Sequence, residues 1–189
     1  MVYIFLADGF EEIEALAPVD MLRRARVDVK MVKVGSTAKK VLGSRSIEII
    51  ADIHESEIDL DNLVNLEMII LPGGAAGVEN LYGSETVEQV VKYCVGHKIS
   101  IGAICAAPSI LSRRSYLKNI KATAFPTFRH YLTEGGAIPE DTQNVVTDGL
   151  FTTADGVLSS IDFALELVRV LKGSEWAQAV GTNKPAPGH

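Results

Sequence analysis

Short apolar runs alternate with longer amphipathic segments along most of the chain. Runs rich in β-branched residues predict strands at 2–6, 27–34, 67–74 and 99–104, and a strand or hairpin arm at 46–53. Apolar residues that recur every three or four positions predict helices over 11–26, 84–95 and 159–171, and a further helix after Cys105. Weaker strands are predicted at 120–124, 144–147 and 149–154.

This alternation favours a parallel sheet, because parallel neighbours need a crossover connection, usually a helix. We therefore predict an α/β fold of doubly wound type, with helices covering both faces of a mainly parallel sheet, built as one domain over residues 1–189. The segment 35–45 interrupts the alternation and is predicted to leave the sheet, with its basic residues Lys39, Lys40 and Arg45 in solvent. The polar segment 182–189 is predicted to be a loosely ordered tail.

The composition narrows the function. With 189 residues, 47% of them hydrophobic, the chain is large enough for one core. A net charge of -6 and the lack of a basic cluster argue against nucleic acid. The first apolar run has no basic residues before it, and no apolar stretch reaches the roughly 20 residues a bilayer requires, so we predict a cytoplasmic protein without membrane contact.

The sequence contains no motif that predicts a cofactor site or a metal site. Cys94 and Cys105 are the only cysteines, and no paired metal-ligand spacing accompanies them, so neither a disulfide framework nor a zinc site is predicted. The turn after the first strand lacks the glycine pattern of dinucleotide-binding proteins. We therefore expect no cofactor and no metal, and treat a special cysteine as a reactive thiol.

Three predicted strands end in unusual residues, in the stretches "ADGFEEIE", "PGGAAG" and "CAAP". Ligands of open α/β sheets collect beyond the carboxyl ends of the strands, so these loops are expected to line one crevice. Cys105 closes one strand, and Pro108 suits the first turn of a following helix. A thiol at a helix start gains backbone donors, which predicts a lowered pKa and a nucleophilic sulfur. The alternative is a small buried apolar residue.

Two more groups are candidates for this crevice. The backbone N–H groups of Gly73, Gly74 and Ala106 are possible donors to a reacting oxyanion, although the glycines are equally explained by a tight turn. Glu14 lies four residues before a proline inside the first predicted helix, which suggests local distortion. If it points into the crevice, burial raises its pKa and it shares a proton with Cys105.

The remaining residues of chemical interest have simpler explanations. His54 and His97 occur in polar contexts and are predicted to be exposed. His130 is a possible partner of a cysteine, but a surface histidine is the more economical interpretation. Cys94 is predicted to pack a helix near its carboxyl end.

The order of "ADGFEEIE", "ILPGG", "GAICAAP", "AFPT" and "DGLFTTADG" resembles the ThiJ/PfpI superfamily over nearly the whole chain. More closely it resembles the branch of bacterial YajL-like proteins and the Parkinsonism-associated deglycase. The resemblance implies a flavodoxin-like three-layer sandwich, a homodimer, Cys105 as the nucleophile on a strained turn and Glu14 as its protonated partner. It also implies backbone donation from Gly74 and Ala106, and an Arg45 that approaches the crevice across the dimer interface.

Departures from that pattern limit the chemistry. Ala106 replaces the histidine of protease-like members, which argues against a peptidase triad. Phe125 replaces the histidine of the Parkinsonism-associated branch, which leaves general-base assistance in doubt. Asp155 stands where relatives often have arginine, so one wall of the crevice is altered.

The leading hypothesis is a stress-response enzyme that acts on reactive dicarbonyls or glycated protein side chains, as a glyoxalase or deglycase does. The competing class is an oxidation sensor or chaperone with little turnover, in which peroxide oxidises Cys105 to sulfenate and sulfinate. A third alternative is the thiazole monophosphate biosynthesis role that is attributed to some relatives. No phosphate-cradling glycine loop supports that role.

Overall fold

A computed structural model describes residues 1–36, 38–184 and 187, and in these residues a seven-stranded sheet lies between two layers of helices. The strands are β1 (Val2–Leu6), β2 (Val29–Lys33), β3 (Lys40–Leu42), β4 (Glu48–Ile50), β5 (Ile53–His54), β6 (Met68–Leu71), β7 (Ser100–Ile104), β8 (Lys121–Ala122), β9 (Ile138–Pro139), β10 (Val145–Asp148) and β11 (Phe151–Ala154). The helices are α1 (Glu12–Arg24), α2 (Ala75–Tyr82), α3 (Glu85–His97), α4 (Pro108–Ser112), α5 (Arg129–Glu134), α6 (Ser160–Lys172) and α7 (Ser174–Gly181).

The sheet has the order β10-β11-β7-β6-β1-β2-β5. Every neighbouring pair is parallel except the terminal hairpin of β10 and β11. The chain lays down β1, β2 and β5 in one direction and then returns to add β6, β7 and β11 on the other side of β1. This arrangement confirms the predicted α/β sandwich of flavodoxin-like type, and it places the reversal of strand order between β1 and β6.

Each face of the sheet supports its own core, because side chains alternate across a strand. In β1, Tyr3 and Phe5 join the cluster that includes α2, α3 and α4, whereas Ile4 and Leu6 join the cluster with α1 and α6. All five residues of β1 are buried. Such a strand is apolar throughout, and this is why the short run "VYIFL" predicts a strand buried on both faces.

The structure differs from the predicted elements at several places. Residues 46–53 form two strands: β4 pairs with β3 in a separate antiparallel hairpin, and β5 closes the edge of the main sheet. Residues 35, 36 and 38–45 leave the main sheet as predicted, and β3 lies among them. Helices α2 and α7 lie where no helix was predicted. Half of the predicted tail, 182–189, lies outside the described residues.

Helix α1 turns an unexpected face to the sheet. The pattern gathers Ile13, Leu16, Ala17, Met21 and Leu22 near one face. In the structure the buried residues are instead Glu12, Glu14, Ala15, Pro18, Val19 and Leu22, and Ile13 is more than half exposed. The helix runs through Pro18 without a break. Two acidic residues are therefore buried and an apolar side chain faces outward, which marks this helix as part of a site.

Candidate functional site around Cys105

A cavity of about 630 Å³ opens beyond the carboxyl ends of β1, β6 and β7. Because these strands are parallel neighbours, the loops that follow them meet at one edge of the sheet, at the reversal of strand order. The lining residues are Gly9, Glu11, Glu14, Ser44, Arg45, Gly74, Ala75, Ala76, Cys105, Ala106, Phe125, Phe128 and Val157. The predicted single crevice thus exists, and it collects Cys105, Glu14, Gly74, Ala106 and Arg45.

Cys105 follows β7 directly and has a positive φ of 63°. Such a conformation costs a residue with a side chain roughly 1–3 kcal/mol and persists only where the surroundings hold it. Here the N–H of Cys105 donates to the carbonyl of Ala154 at 2.8 Å, and its own carbonyl accepts from the N–H of Phe125 at 2.9 Å. Two neighbouring segments therefore hold the strained turn that presents the sulfur to the cavity.

The helix after the cysteine begins later than predicted. Helix α4 starts at Pro108 and has five residues, so the sulfur lies on the turn before it rather than at its first residue. A helix this short has a small dipole. The donors that act on the sulfur are individual backbone groups, those of Ala106 and Gly74.

Glu14 lies on the first turn of α1 with 1% of its surface exposed. Its Oε2 accepts a hydrogen bond from the N–H of Gly73 at 3.0 Å, and its carboxyl group is hydrogen-bonded to the thiol of Cys105. A Cβ at Gly73 would lie 2.7 Å from the Cβ of Cys105 and would collide with Glu14 Oε2. Glycine is therefore required at 73 because three groups meet there.

The three predicted backbone donors, the N–H groups of Gly73, Gly74 and Ala106, have different acceptors. The N–H of Gly73 is occupied by Glu14, whereas those of Gly74 and Ala106 act on the sulfur. Gly74 has a φ of 90°, and a Cβ there would lie 2.7 Å from the backbone nitrogen of Glu11. Glycine at 74 thus allows the backbone to approach the loop after β1. Gly74 and Ala106 are the pair positioned to donate to an oxyanion beside the sulfur.

The two ionisable groups are coupled. Burial raises the pKa of Glu14 to about 7. Burial, followed by the negative charge of Glu14, raises the pKa of the Cys105 thiol to about 12, and the N–H groups of Ala106 and Gly74 act in the opposite direction. The predicted lowering of the thiol pKa is therefore wrong while Glu14 is ionised. Between these two values the pair holds one proton, and a thiolate exists when that proton is on Glu14.

Arg45 reaches the cavity from the β3–β4 hairpin. Its side chain is exposed, as predicted, but it lines the cavity of its own chain beside Ser44. The carboxylate of Glu12 holds this hairpin: it accepts from the N–H of Arg45 at 2.7 Å and from the hydroxyl of Ser44 at 3.2 Å. Burial alone raises the pKa of Glu12, but the hydrogen bonds from the hairpin outweigh it and lower the pKa.

Sequence reasoning missed part of this site. In the sequence, Glu12 is one of several acidic residues at the start of the first predicted helix, and Phe128 and Val157 show only ordinary apolar character. The three residues become recognisable only when the hairpin and the loops 125–128 and 155–159 are placed around Cys105. The aromatic pair in "FPTF" was the one available hint.

The histidines lie elsewhere. His130 is exposed on α5 and does not line the cavity, and none of the described lining residues is a histidine. The prediction that His54 is exposed is wrong: it is 8% exposed and its Nδ1 lies 2.8 Å from the hydroxyl of Ser56. Cys94 is buried in α3, and burial raises its pKa to about 12, which is consistent with a packing role.

Comparison with known proteins places this geometry in a family. A model of the DJ-1/PfpI family matches residues 1–170. Protein DJ-1 homolog B of Arabidopsis thaliana is 34% identical over 171 residues, which are 90% of this chain, and the chain spans 37% of that longer protein. The glutathione-independent glyoxalase DJ-1 of Schizosaccharomyces pombe is 33% identical over 184 residues, with 95% of each chain covered.

A solved structure extends the likeness to three dimensions. Oxidized DJ-1 of Toxoplasma gondii superimposes with a TM-score of 0.89 and 30% identity, and the match covers 96% of each chain. The narrower placement in a YajL-like branch stays a prediction. The matched family model, the relatives and the shared fold agree with the resemblance carried by "LPGG" and "ICAAP", and the chain belongs to the DJ-1/PfpI family.

Proposed function

We propose that the chain is a cysteine-dependent stress-response enzyme that converts reactive dicarbonyls, or their adducts on protein side chains, as a glyoxalase or deglycase does. The observation that carries the proposal is the buried carboxyl group of Glu14, which is hydrogen-bonded to the thiol of Cys105 and lines one cavity with Gly74 and Ala106. The relative named as a glutathione-independent glyoxalase supports the same reaction class.

The reaction uses these groups in order. The sulfur of Cys105 adds to the aldehyde carbon of methylglyoxal, and the carbonyl oxygen takes up the proton of the pair, so that a hemithioacetal forms. Gly74 and Ala106 donate to that oxygen as charge develops on it. Glu14 then removes the proton from the former aldehyde carbon and returns it to the neighbouring carbon through an enediol, which leaves a thioester. Water cleaves the thioester, and lactate and the free thiol are released.

A homodimer belongs to this proposal. Helices α1 and α6 pack side by side, and apolar side chains remain exposed on both and on the hairpin that Glu12 holds. They are Ile13 on α1, Leu42, Ile47 and Ile50 on the hairpin, Leu158 in the turn just before α6, and Ile161 on α6. Exposed apolar side chains on neighbouring elements favour a partner surface. A second copy of the chain that docks here also brings its own apolar surface close to Arg45.

The test is the conversion of methylglyoxal to lactate by Cys105→Ser and by the control Cys94→Ala. We expect Cys105→Ser to lose turnover entirely, because the hydroxyl is a far weaker nucleophile. Cys94→Ala should keep it, since Cys94 is buried in the core away from the cavity. Turnover that survives Cys105→Ser unchanged would remove the proposal.

A second candidate, an oxidation sensor, is favoured by the difference between the two cysteines. Cys105 is partly exposed to the cavity, while Cys94 is fully buried. The carboxylate of Glu14 now accepts a hydrogen bond from the Cys105 thiol, and in its protonated form Glu14 can instead donate one to an oxidised sulfur. Intact mass after graded peroxide treatment separates the two functions: a gain of two oxygens at Cys105 without dicarbonyl turnover favours sensing, and turnover without that gain favours the enzyme.

A further inference from the structure

Three apolar side chains form one wall of the cavity that also contains Glu14 and Arg45. The wall consists of Phe125, Phe128 and Val157. Phe125 is 41% exposed and Val157 is 37% exposed, and both line this cavity as well as a smaller one beside it. Large apolar groups exposed beside a nucleophile are typical of a site that binds an apolar part of its ligand.

This wall is fixed relative to the sulfur. The N–H of Phe125 donates to the carbonyl of Cys105 at 2.9 Å, and the N–H of Phe128 donates to the carbonyl of Phe125 at 2.8 Å. Gly156 leaves room for the ring of Phe125, since a Cβ there would lie 3.2 Å from its Cδ2. The ring of Phe128 packs beside that of Tyr131, with centroids 6.1 Å apart. A group bound against the wall therefore has a defined position with respect to Cys105.

The size and charge of the cavity limit the ligand further. Its 630 Å³ lies within the roughly 300–1,000 Å³ typical of sites for drug-sized molecules and far exceeds a three-carbon aldehyde. Arg45 is the single basic residue in the described lining, and Glu11 and Glu14 oppose it. Such a balance gives a negatively charged ligand no net attraction.

We propose that the cavity selects uncharged 2-oxoaldehydes with an aryl or bulky apolar substituent over methylglyoxal. The inference rests on the proposed function and adds the substrate class to it. The aldehyde carbon meets the sulfur of Cys105, and the substituent lies against Phe125, Phe128 and Val157. An aryl ring gains edge or offset contacts with the two phenylalanines, and a methyl group cannot reach them.

The experiment compares kcat/KM for phenylglyoxal, which yields mandelate, with kcat/KM for methylglyoxal. Intact mass verifies that phenylglyoxal leaves the arginines unmodified during the assay. We expect a ratio of at least about 10 in favour of phenylglyoxal, since apolar contacts of this size change specificity about 10–200-fold. In Phe125→Ala the ratio should fall about fivefold or more. Ile138→Ala, which removes a similarly exposed apolar side chain outside the cavity, should leave the ratio unchanged.

A binding measurement separates this inference from the proposed function. Mandelamide and lactamide, which are uncharged, are compared as protectants of Cys105 against iodoacetamide, in a Cys94→Ala background, which requires no turnover. Stronger protection by mandelamide that is lost in Phe125→Ala supports the apolar subsite even if neither aldehyde is converted. A ratio near one, or equal protection by both amides, overturns the inference and leaves the proposed reaction untouched.

Discussion

At Cys105 the backbone conformation and the ionisation of the sulfur depend on different neighbouring residues. The backbone conformation is held by Ala154 and Phe125, whereas the ionisation of the thiol depends on Glu14, Gly74 and Ala106. The sequence predicted the turn at Cys105, but it did not predict the pKa of the thiol correctly. The helix start suggested a lowered pKa, but burial and a nearby carboxylate act over a few ångströms and outweigh a five-residue helix.

The coupling predicts the pH dependence of reactivity. The pair loses its first proton near the raised pKa of Glu14, about 7, so the rate of iodoacetamide alkylation at Cys105 should rise through that pH. In Glu14→Gln the thiol titrates alone, and burial keeps its pKa above the ordinary value of about 8.5, so the rise should move to higher pH. Rate constants between pH 5 and 10 test this. Superimposable profiles for the two proteins would mean that Glu14 does not share the proton.

Gly73 offers a second test at a single residue. Because a side chain there meets Glu14 and Cys105, Gly73→Ala should destabilise the fold by about 1–3 kcal/mol and abolish turnover. Gly96→Ala is the matched control: Gly96 lies in α3 with open space around it, and alanine should stabilise that helix by about 0.5 kcal/mol. Urea unfolding measures both. Equal stability changes in the two variants would contradict the close approach at 73.

Among the elements, the β3–β4 hairpin depends most on a contact remote in sequence. It belongs to a separate two-stranded sheet, and Glu12 of α1 fastens it beside the cavity. Asp8 adds a second anchor, since its Oδ1 accepts from the N–H of Leu42 at 3.0 Å and pairs with the buried Lys33 at 2.7 Å. The buried carboxylate of Glu12 and the exposed carboxylate of Asp8 thus determine the position of Arg45.

Loss of this anchor is testable. Glu12→Gln places an amide group where acceptors are needed, and we expect a loss of about 2 kcal/mol in the free energy of unfolding, because hydrogen bonds to a charged group are among the stronger ones. The amides of Arg45 and Ile47 should exchange hydrogen faster. Glu85→Gln alters the equivalent first-turn position of α3, where the side chain is exposed, and should cost less than about 0.5 kcal/mol. Equal losses in the free energy of unfolding of both variants would mean that Glu12 acts only through the dipole of α1.

At the scale of the whole molecule, the exposed apolar residues of α1, α6 and the hairpin predict a dimer interface. Leu158 is 97% exposed in the turn just before α6, where an apolar side chain contributes nothing to the stability of a monomer. We expect the chain to sediment as a dimer and Leu158→Asp to sediment as a monomer, because dimerisation would bury the new charge. Val64→Asp, which changes another strongly exposed apolar residue, should remain dimeric. A dimer that survives Leu158→Asp would move the interface elsewhere.

The architecture of the sheet was largely predictable. Runs such as "VYIFL" and "EMIIL" are apolar throughout, and only strands buried on both faces suit such short runs. Helix α2 was missed because it opens with "AAG", in which the glycine signals a turn. In the structure Gly77 is needed for another reason: a Cβ there would lie 2.7 Å from the backbone nitrogen of Phe10. A close approach between distant segments cannot be distinguished from a turn by local pattern.

By itself, the sequence determined the α/β fold, the edge of the sheet where the site lies, and the candidacy of Cys105, Glu14 and the double glycine, because these follow from local periodicity and from the loops after apolar strands. Only the tertiary structure decided that Gly73 serves Glu14, that Glu12 is a buried anchor, and that Phe125 and Phe128 form a wall. Those facts depend on desolvation and on contacts between segments far apart in the chain. Such contacts do not produce a periodic pattern of apolar residues in the sequence.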